Sequence, residues 1–408
     1  MRIPFFLLTF IGLLGIIGCK KGPYDKVDLK ENLQQILDKQ LARYKDTFPG
    51  KAVGFGLYIK SAGGSHGRSG QDVYVSSGFP KEYGEAVQFR GASTTKTFTA
   101  AAILKLHQQG KLDIDHLITD NRPGTTQPYI PATSEFAIPN KNKITIRLLL
   151  QHRAGVFDVT NTDIPKNVNA LYAGKRYLDY VLKKEGDNHT FTIPEMINVV
   201  AQNQLSYFKP NESFHYSNTG YHLLTLIIER VSGKRYDQFL KDEFLTPLQL
   251  NHTFFPYLGT DQQLPKPYVT GWLKINRELT EVTEDNVSSI VGDGNVVTTP
   301  LELATWANAL YGSNKILNAD LHAQMITGIL TNEEHVNYGL GTELHPPDLG
   351  YGHNGAHPAY MTIMRYHPGT NASYVLFCNF LNVDDFSSQG KDLENIVRQA
   401  VQAVETSR

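Results

Sequence analysis

The sequence predicts an α+β fold, in which an antiparallel sheet is flanked by N- and C-terminal helices and a mostly helical lobe is inserted between them. Two stretches predict it. Leu29, Leu33, Ile36, Leu37 and Leu41 recur at helical spacing across residues 28–45, and residues 53–59 then read as a strand. Toward the other end, 360–366 and 374–380 read as strands ahead of a helical pattern through Leu393, Ile396, Val397, Val401 and Val404. Helices from both ends covering one antiparallel sheet make a layered α+β unit. The two ends therefore share an α/β lobe, about 28–92 and 300–408, and about 93–299 forms the helical lobe. A chain of 408 residues with 41% apolar content can bury a large core, and its length allows two or three domains. No internal repeat or low-complexity tract is visible.

The N-terminus has its own reading. Arg2 precedes an apolar stretch over residues 3–18, too short for a comfortable membrane span, ending in Leu14-Gly15-Ile16-Ile17-Gly18-Cys19. Aliphatic residues, then a small residue and cysteine, resemble a bacterial lipoprotein cleavage site. Residues 1–18 are thus expected to be a signal peptide, with Cys19 lipidated and 19–27 a polar tether containing Lys20-Lys21-Gly22-Pro23. The alternatives are an ordinary signal peptide or a short anchor helix. Lipidation would place the protein in the bacterial cell envelope, anchored to a membrane and facing the periplasm or the exterior.

Within the middle of the chain, helices are expected at 98–109, 218–231 and 301–310. Two loop-rich stretches, 120–143 with four prolines and 157–192, are candidate walls of a cleft.

The chemistry starts at Ser93, with Lys96 three residues on in Gly91-Ala92-Ser93-Thr94-Thr95-Lys96. If a helix opens there, positions i and i+3 share a face, and the lysine amine reaches the serine hydroxyl. A lysine kept neutral by burial is one way to activate a serine nucleophile. The pattern is cheap, because Ser206–Lys209 and Ser388–Lys391 match it too. Tyr216-Ser217-Asn218 is more specific: of 21 tyrosines, only Tyr216 has an asparagine two residues later. A tyrosine beside a cationic lysine is expected to have a lowered pKa and to relay protons. The Asn218 amide can serve both the lysine and a substrate carbonyl. Asn218 or Ser217 could equally cap a following helix. A third element is His353-Asn354-Gly355, where glycine allows close approach and the next N–H, that of Ala356, can point at a developing oxyanion. His367-Pro368-Gly369 has the same outline, but its Pro-Gly pair reads as a turn.

In that order, the three motifs resemble the signatures of the serine penicillin-recognising enzymes. The nearest branch is the class C beta-lactamase-like group, which includes DD-carboxypeptidases, D-aminopeptidases and esterases. Leu148-Leu149-Leu150-Gln151-His152-Arg153-Ala154-Gly155 and Gly294-Asn295-Val296-Val297-Thr298-Thr299-Pro300 resemble further family segments. The resemblance covers residue 50 to the C-terminal helix and implies a beta-lactamase/DD-peptidase-like fold. It implies Ser93 as acyl-accepting nucleophile, Lys96 with Tyr216 as the proton-handling pair, and Asn218 positioning the acylated group. It also implies an oxyanion hole from the N–H groups of Ser93 and Ala356, with Asn354 and Gly355 among the substrate-binding positions.

His353 stands where beta-lactamases of this group carry the lysine of Lys-Thr-Gly, so peptide or ester hydrolysis is expected over antibiotic hydrolysis. An unperturbed histidine there would lose its charge near pH 6.5, and carboxylate recognition with it. The chain also departs from the family in reading Gly355-Ala356-His357-Pro358-Ala359 where relatives commonly read Gly-Gly-x-x-Gly. The implied activity is a serine hydrolase acting through an acyl-serine on D-amino-acid-containing peptides. The alternatives are a small-ester esterase, a weak beta-lactamase, or a non-catalytic binder of cell-wall peptides.

Composition narrows the remaining classes. A net charge of -1 without a basic cluster leaves no footprint for nucleic acid. No cofactor is implied. No metal site is implied either, since His353 and His357 flank a Gly-Ala pair unsuited to a helix. With two cysteines, one of them Cys19, no intramolecular disulfide is expected, and Cys378 reads as a small buried hydrophobe. The expected partners are a small peptide or ester and a membrane, with oligomeric state left open.

Overall fold

A computed structural model describes residues 28–61, 72–331, 337–345 and 347–407. The signal peptide, Cys19 and the tether lie outside these residues. The chain enters through helix α1 (Leu29–Tyr44), capped by the Asp28 carboxylate, and then forms β1 (Phe55–Ser61), β2 (Val73–Ser77) and β3 (Phe89–Ala92). Helices α2 (Thr95–Gln108), α3 (Ile146–Leu150), α4 (Tyr177–Glu185), α5 (Ile193–Gln202), α6 (Asn218–Ser232) and α7 (Tyr236–Leu240) follow. Next come β4 (Trp272–Ile275), β5 (Glu278–Glu281), β6 (Val296–Thr298), α8 (Pro300–Tyr311) and α9 (Ala319–Met325). The chain closes with β7 (Ile329–Leu330), β8 (Asn337–Tyr338), β9 (Glu343–His345), β10 (Gly350–His357), β11 (Tyr360–His367), β12 (Ala372–Cys378), β13 (Phe380–Asn382) and α10 (Phe386–Ser407).

The α+β class read from the sequence is the one observed. Eight strands form a sheet in the order β2-β1-β12-β11-β10-β9-β8-β7, every pairing antiparallel. Side chains alternate faces along a strand, and here the two faces serve two cores. Leu57, Ile363, Tyr374 and Leu376 pack with Leu33, Leu37, Ile396 and Val397 of α1 and α10. Tyr58, Met364, Val375 and Phe377 face the other way and join a larger cluster with α2, α6 and α8.

Three details differ from the expectation. The strand expected at 374–380 breaks at Asn379, whose side chain accepts from the Gly54 N–H and donates to the Ala52 and Thr270 carbonyls. The chain then re-enters as β13, which pairs with β4 in a separate three-stranded sheet, so the middle of the chain, expected to be mostly helical, also contributes the strand pair β4 and β5. The stretch 157–192 contains helix α4, whose buried Leu178 and Val181 are spaced by three and anchor it to the core.

Helix α2 is buried at every position from Thr95 to Leu104 and again at Leu106, as a helix in the middle of a core must be. Phe98 stacks on Trp306 of α8 at 3.9 Å, and Trp306 Nε1 donates to Thr97 Oγ1 at 2.9 Å. The first turn of this helix is therefore held against α8.

Candidate active site

Ser93 occupies the turn between β3 and α2. Ala92, just before it, has a left-handed backbone (φ 51°), a conformation that costs a non-glycine residue energy and that tends to persist at functional sites. Threonine hydroxyls hold the turn: Thr94 Oγ1 donates to the Gly91 carbonyl at 2.9 Å, and Thr95 Oγ1 donates to that of Ala92 at 2.7 Å. The Val296 N–H of β6 in turn donates to Thr95 Oγ1 at 2.9 Å. The result is a half-buried Ser93 at the rim and a fully buried Lys96 one turn below.

Lys96 Nζ lies 3.3 Å from Ser93 Oγ, 2.7 Å from Asn218 Oδ1 and 2.8 Å from the Asp293 carbonyl. It also sits 4.6 Å from the centre of the Tyr216 ring and 5.4 Å from that of Tyr221. Burial pushes its pKa down to about 8, opposed by the carboxylates of Asp293, Asp158 and Glu343. A neutral lysine amine has two N–H groups and one lone pair. The asparagine and the Asp293 carbonyl accept both N–H groups, which turns the lone pair toward Ser93.

Asn218 is the first residue of α6, whose start is capped by the Ser217 hydroxyl accepting from the Gly220 N–H at 3.3 Å. Its Nδ2 donates to Thr160 Oγ1 at 2.9 Å, which fixes the amide orientation. Thr160 is held in turn by the buried Asp158 carboxylate. The Tyr216 hydroxyl is enclosed and makes no hydrogen bond of regular geometry, although Ser93 lies close enough to favour its anion. Burial outweighs that influence and raises its pKa well above the ordinary tyrosine value. This corrects the sequence expectation of a lowered pKa: Tyr216 stays neutral, a proton donor and not a standing phenolate.

On the opposite wall, β10 presents His353 and Gly355. A Cβ on Gly355 would sit 2.4 Å from the Gly91 carbonyl and 3.1 Å from Ala92 Cβ, so only glycine lets β10 come this close to the strand that leads into Ser93. The register pairs His353 with Met364 and Asn354 with Ile363, so consecutive residues face opposite cores. The Asn354 N–H donates to Glu343 Oε2 at 3.0 Å, away from β11. Backbone donors alternate along a strand with period two, so the Ala356 N–H points to the same open edge, beside β3 and Ser93.

The Asn354 side chain needs correction as a substrate-binding group. It faces α10, where Oδ1 accepts from Arg365 Nη2 at 2.7 Å and Nδ2 lies 3.4 Å from Glu394 Oε1. Strand alternation is the reason. His353 needs correction too. It is 1% exposed, and burial drives its pKa down to about 4 against the pull of Glu343, so it carries no titrating charge between pH 6 and 8.

The structure thus brings Ser93, Lys96, Tyr216, Asn218, His353, Gly355 and the Ala356 N–H together in one place. It adds residues to which sequence reasoning gave no role. His152 packs against Tyr216 in a tilted pair at 4.2 Å between centroids, Tyr338 bonds both His152 and His353, and Glu343 lies 3.3 Å from His353 Nδ1. His152 stood in a recognised segment, but nothing in the sequence around Tyr338 or Glu343 marked them. His357, whose spacing had suggested nothing, pairs with Asp285 at 2.8 Å. Cys378 is buried and free, and its pKa is pushed up to about 12. Among the described residues no cluster of three metal-ligating side chains occurs.

The chain is similar to known proteins in sequence and in fold. The chain is 29% identical over 290 residues to Penicillin-binding protein 4* of Bacillus subtilis (strain 168), covering 68% of this chain and 57% of that protein. The chain spans about half the length of the curated relatives it matches. Among solved structures, D-amino acid amidase from Ochrobactrum anthropi SV3, complexed with L-phenylalanine amide, superposes with a TM-score of 0.70 at 25% identity, covering 94% of this chain and 100% of that one. The penicillin binding protein from Bacillus halodurans superposes with a TM-score of 0.64 at 21% identity, covering 86% and 96%; at that identity it shares the fold. The Beta-lactamase family profile matches residues 67–394, and the chain belongs to the beta-lactamase family.

Proposed function

We propose that this protein is a serine hydrolase that cleaves amide bonds of D-amino-acid-containing peptides or amides through an acyl-serine intermediate. The observation that carries the reading is the Lys96 amine, whose two N–H groups are claimed by Asn218 and the Asp293 carbonyl so that its lone pair faces Ser93 Oγ. The choice of D-configured amides rests on the likeness to D-amino acid amidase and on the lack of a standing cation at position 353.

In this reading neutral Lys96 takes the hydroxyl proton as Ser93 Oγ attacks the carbonyl carbon. The carbonyl oxygen becomes an oxyanion beside the N–H groups of Ser93 and Ala356. The C–N bond then breaks, and the leaving nitrogen takes a proton from the Tyr216 hydroxyl, which is resupplied by the Lys96 ammonium. Water, deprotonated by the same pair, attacks the acyl-serine and releases the acid. One purified sample tested with D- and L-amino acid amides, a D-Ala-D-Ala peptide, short-chain esters, a fluorescent penicillin and a cephalosporin decides the matter. Turnover of the D-amides or D-peptide above the others supports the reading. A cephalosporin hydrolysed faster than any of them would return the protein to antibiotic hydrolysis.

The lipid anchor at Cys19, and with it an envelope location, is part of the same proposal. It rests on the Leu14-Gly15-Ile16-Ile17-Gly18-Cys19 segment alone. Cys19→Ala should move the protein from the membrane to the soluble fraction. A cleaved, shortened chain still retained on membranes would overturn it.

A further inference from the structure

We propose that Tyr338 is a positioning residue that ties the turn carrying Tyr216 and Asn218 to the strand carrying His353 and the Ala356 N–H, accepting a hydrogen bond from His152 and donating one to His353. The inference rests on the reading of Ser93 as an acyl-serine nucleophile and gives that site a mechanical connection between its two walls.

The direction of each bond follows from what the ends of the chain can do. The Ser217 N–H donates to His152 Nδ1 at 3.1 Å, and a backbone N–H cannot reverse its role. A neutral imidazole has one N–H, so in His152 the proton is on Nε2. That nitrogen lies 3.2 Å from Tyr338 Oη, which must accept. At the other end, His353 Nδ1 faces two acceptors, the Asn354 carbonyl at 2.5 Å and Glu343 Oε1 at 3.3 Å. The His353 proton is therefore on Nδ1, and its Nε2, 2.9 Å from Tyr338 Oη, must accept from the tyrosine. Two independent arguments thus meet at one hydroxyl and assign it opposite roles toward its two neighbours, which a hydroxyl can fill at once.

The burial around this hydroxyl makes the arrangement directional. Tyr338, His152 and His353 are 2%, 3% and 1% exposed, so no bulk water replaces a lost bond. The ring of His152 lies flat enough on Tyr216 (33° between planes, 4.2 Å) to fix that side chain as well. Tyr338 is delivered by a tight turn: Gly341 has φ +70°, and a Cβ there would fall 2.4 Å from Ala100 Cβ, inside α2. The Gly341 N–H donates to the Leu150 carbonyl, just ahead of His152. Tyr221 Oη, which also neighbours the Tyr338 hydroxyl, donates to the same carbonyl at 3.1 Å.

The test combines ring 15N spectra of the 15N-histidine-labelled full-length protein with kinetics of Tyr338→Phe. In the wild type, His152 should carry its proton on Nε2 and His353 on Nδ1. In Tyr338→Phe, the Nε2 resonances of both rings should shift, and the acylation rate should fall roughly ten- to a hundredfold with KM changed little, as expected when a reacting group is displaced without loss of binding. A wild-type proton on His353 Nε2 or His152 Nδ1 overturns the proposal, and that spectrum decides even if the variant does not fold. Acylation by Tyr338→Phe at the wild-type rate overturns it as well. If the tautomers are as stated but no probe ever acylates Ser93, the function reading fails while the tie through Tyr338 stands.

Discussion

Lys96 Nζ is closer to Asn218 Oδ1, at 2.7 Å, than to Ser93 Oγ, at 3.3 Å. The asparagine, together with the Asp293 carbonyl at 2.8 Å, sets where the amine sits, and Ser93 does not. In the proposed mechanism, the asparagine of the Tyr-x-Asn motif aims the base.

Asn218→Asp should therefore retune the lysine rather than displace it. A carboxylate at 2.7 Å stabilises the ammonium and raises its pKa by roughly one to three units. The rate of acylation against pH should shift its rising limb upward by that amount. An unshifted limb would show that Asn218 does not govern Lys96.

For the wild-type protein, the pKa of Lys96 near 8 sets the limb itself. The neutral amine is the competent form, so acylation should rise with pH through about 8 and level off above it. The groups that face Lys96 are Asp293, Asp158, Glu343, His152 and His353; the two histidines are held neutral. No fall in rate should accompany pH 6 to 7. Stopped-flow acylation from pH 6 to 9.5 tests it, and a loss of rate near 6.5 would mean that His353 is charged in the working enzyme after all.

Ser93→Ala should abolish acylation and leave the melting temperature near that of the wild type, since a half-buried hydroxyl at the rim contributes little to packing. Lys96→Arg should slow acylation by roughly a hundredfold or more, because arginine does not surrender a proton near neutral pH. Wild-type acylation in either variant removes that residue from the mechanism.

Stability should report His353 separately from activity. Its folded-state pKa is lowered from 6.5 to about 4, so the unfolded chain binds the extra proton first as pH falls. The stability present above pH 6.5 is lost as pH drops toward 4, by at most about 3 kcal/mol for this group. Urea unfolding at pH 7 and pH 4.5 should show a smaller acid loss in His353→Gln than in the wild type. Equal losses would assign the acid sensitivity elsewhere, to His152 for example.

The sequence displayed those parts of the site that are local. Ser93 and Lys96 are one helical turn apart, and Gly355 announces a close approach by having no side chain. What it hid acts across long separations through single atoms. Lys96 meets a backbone carbonyl at Asp293, which any residue type could supply, and Tyr338 meets two histidines from a two-residue strand whose place in the fold no local pattern declares. Asn354 was legible in principle: within a strand, a neighbour of an inward His353 faces outward. The charge state of His353 was not legible, since a pKa depends on burial and sequence spacing does not report burial. The fold class was accessible because helical and alternating periodicities at the two ends are strong, whereas the break at Asn379 depends on a buried amide joining three distant segments.

Arg365 lies on the face of the sheet away from the cleft, fully buried, with Nη2 2.8 Å from Glu343 Oε2; the other oxygen of that carboxylate is 3.3 Å from His353 Nδ1. The counter-charge for the cleft is thus supplied from behind the sheet. A change at Arg365, remote from any substrate, would leave an unbalanced carboxylate beside an imidazole and draw a proton onto it. The outer layer under α1 and α10 is for this reason not free to drift as mere scaffold: sequence change there is restrained by the chemistry of a surface it never touches.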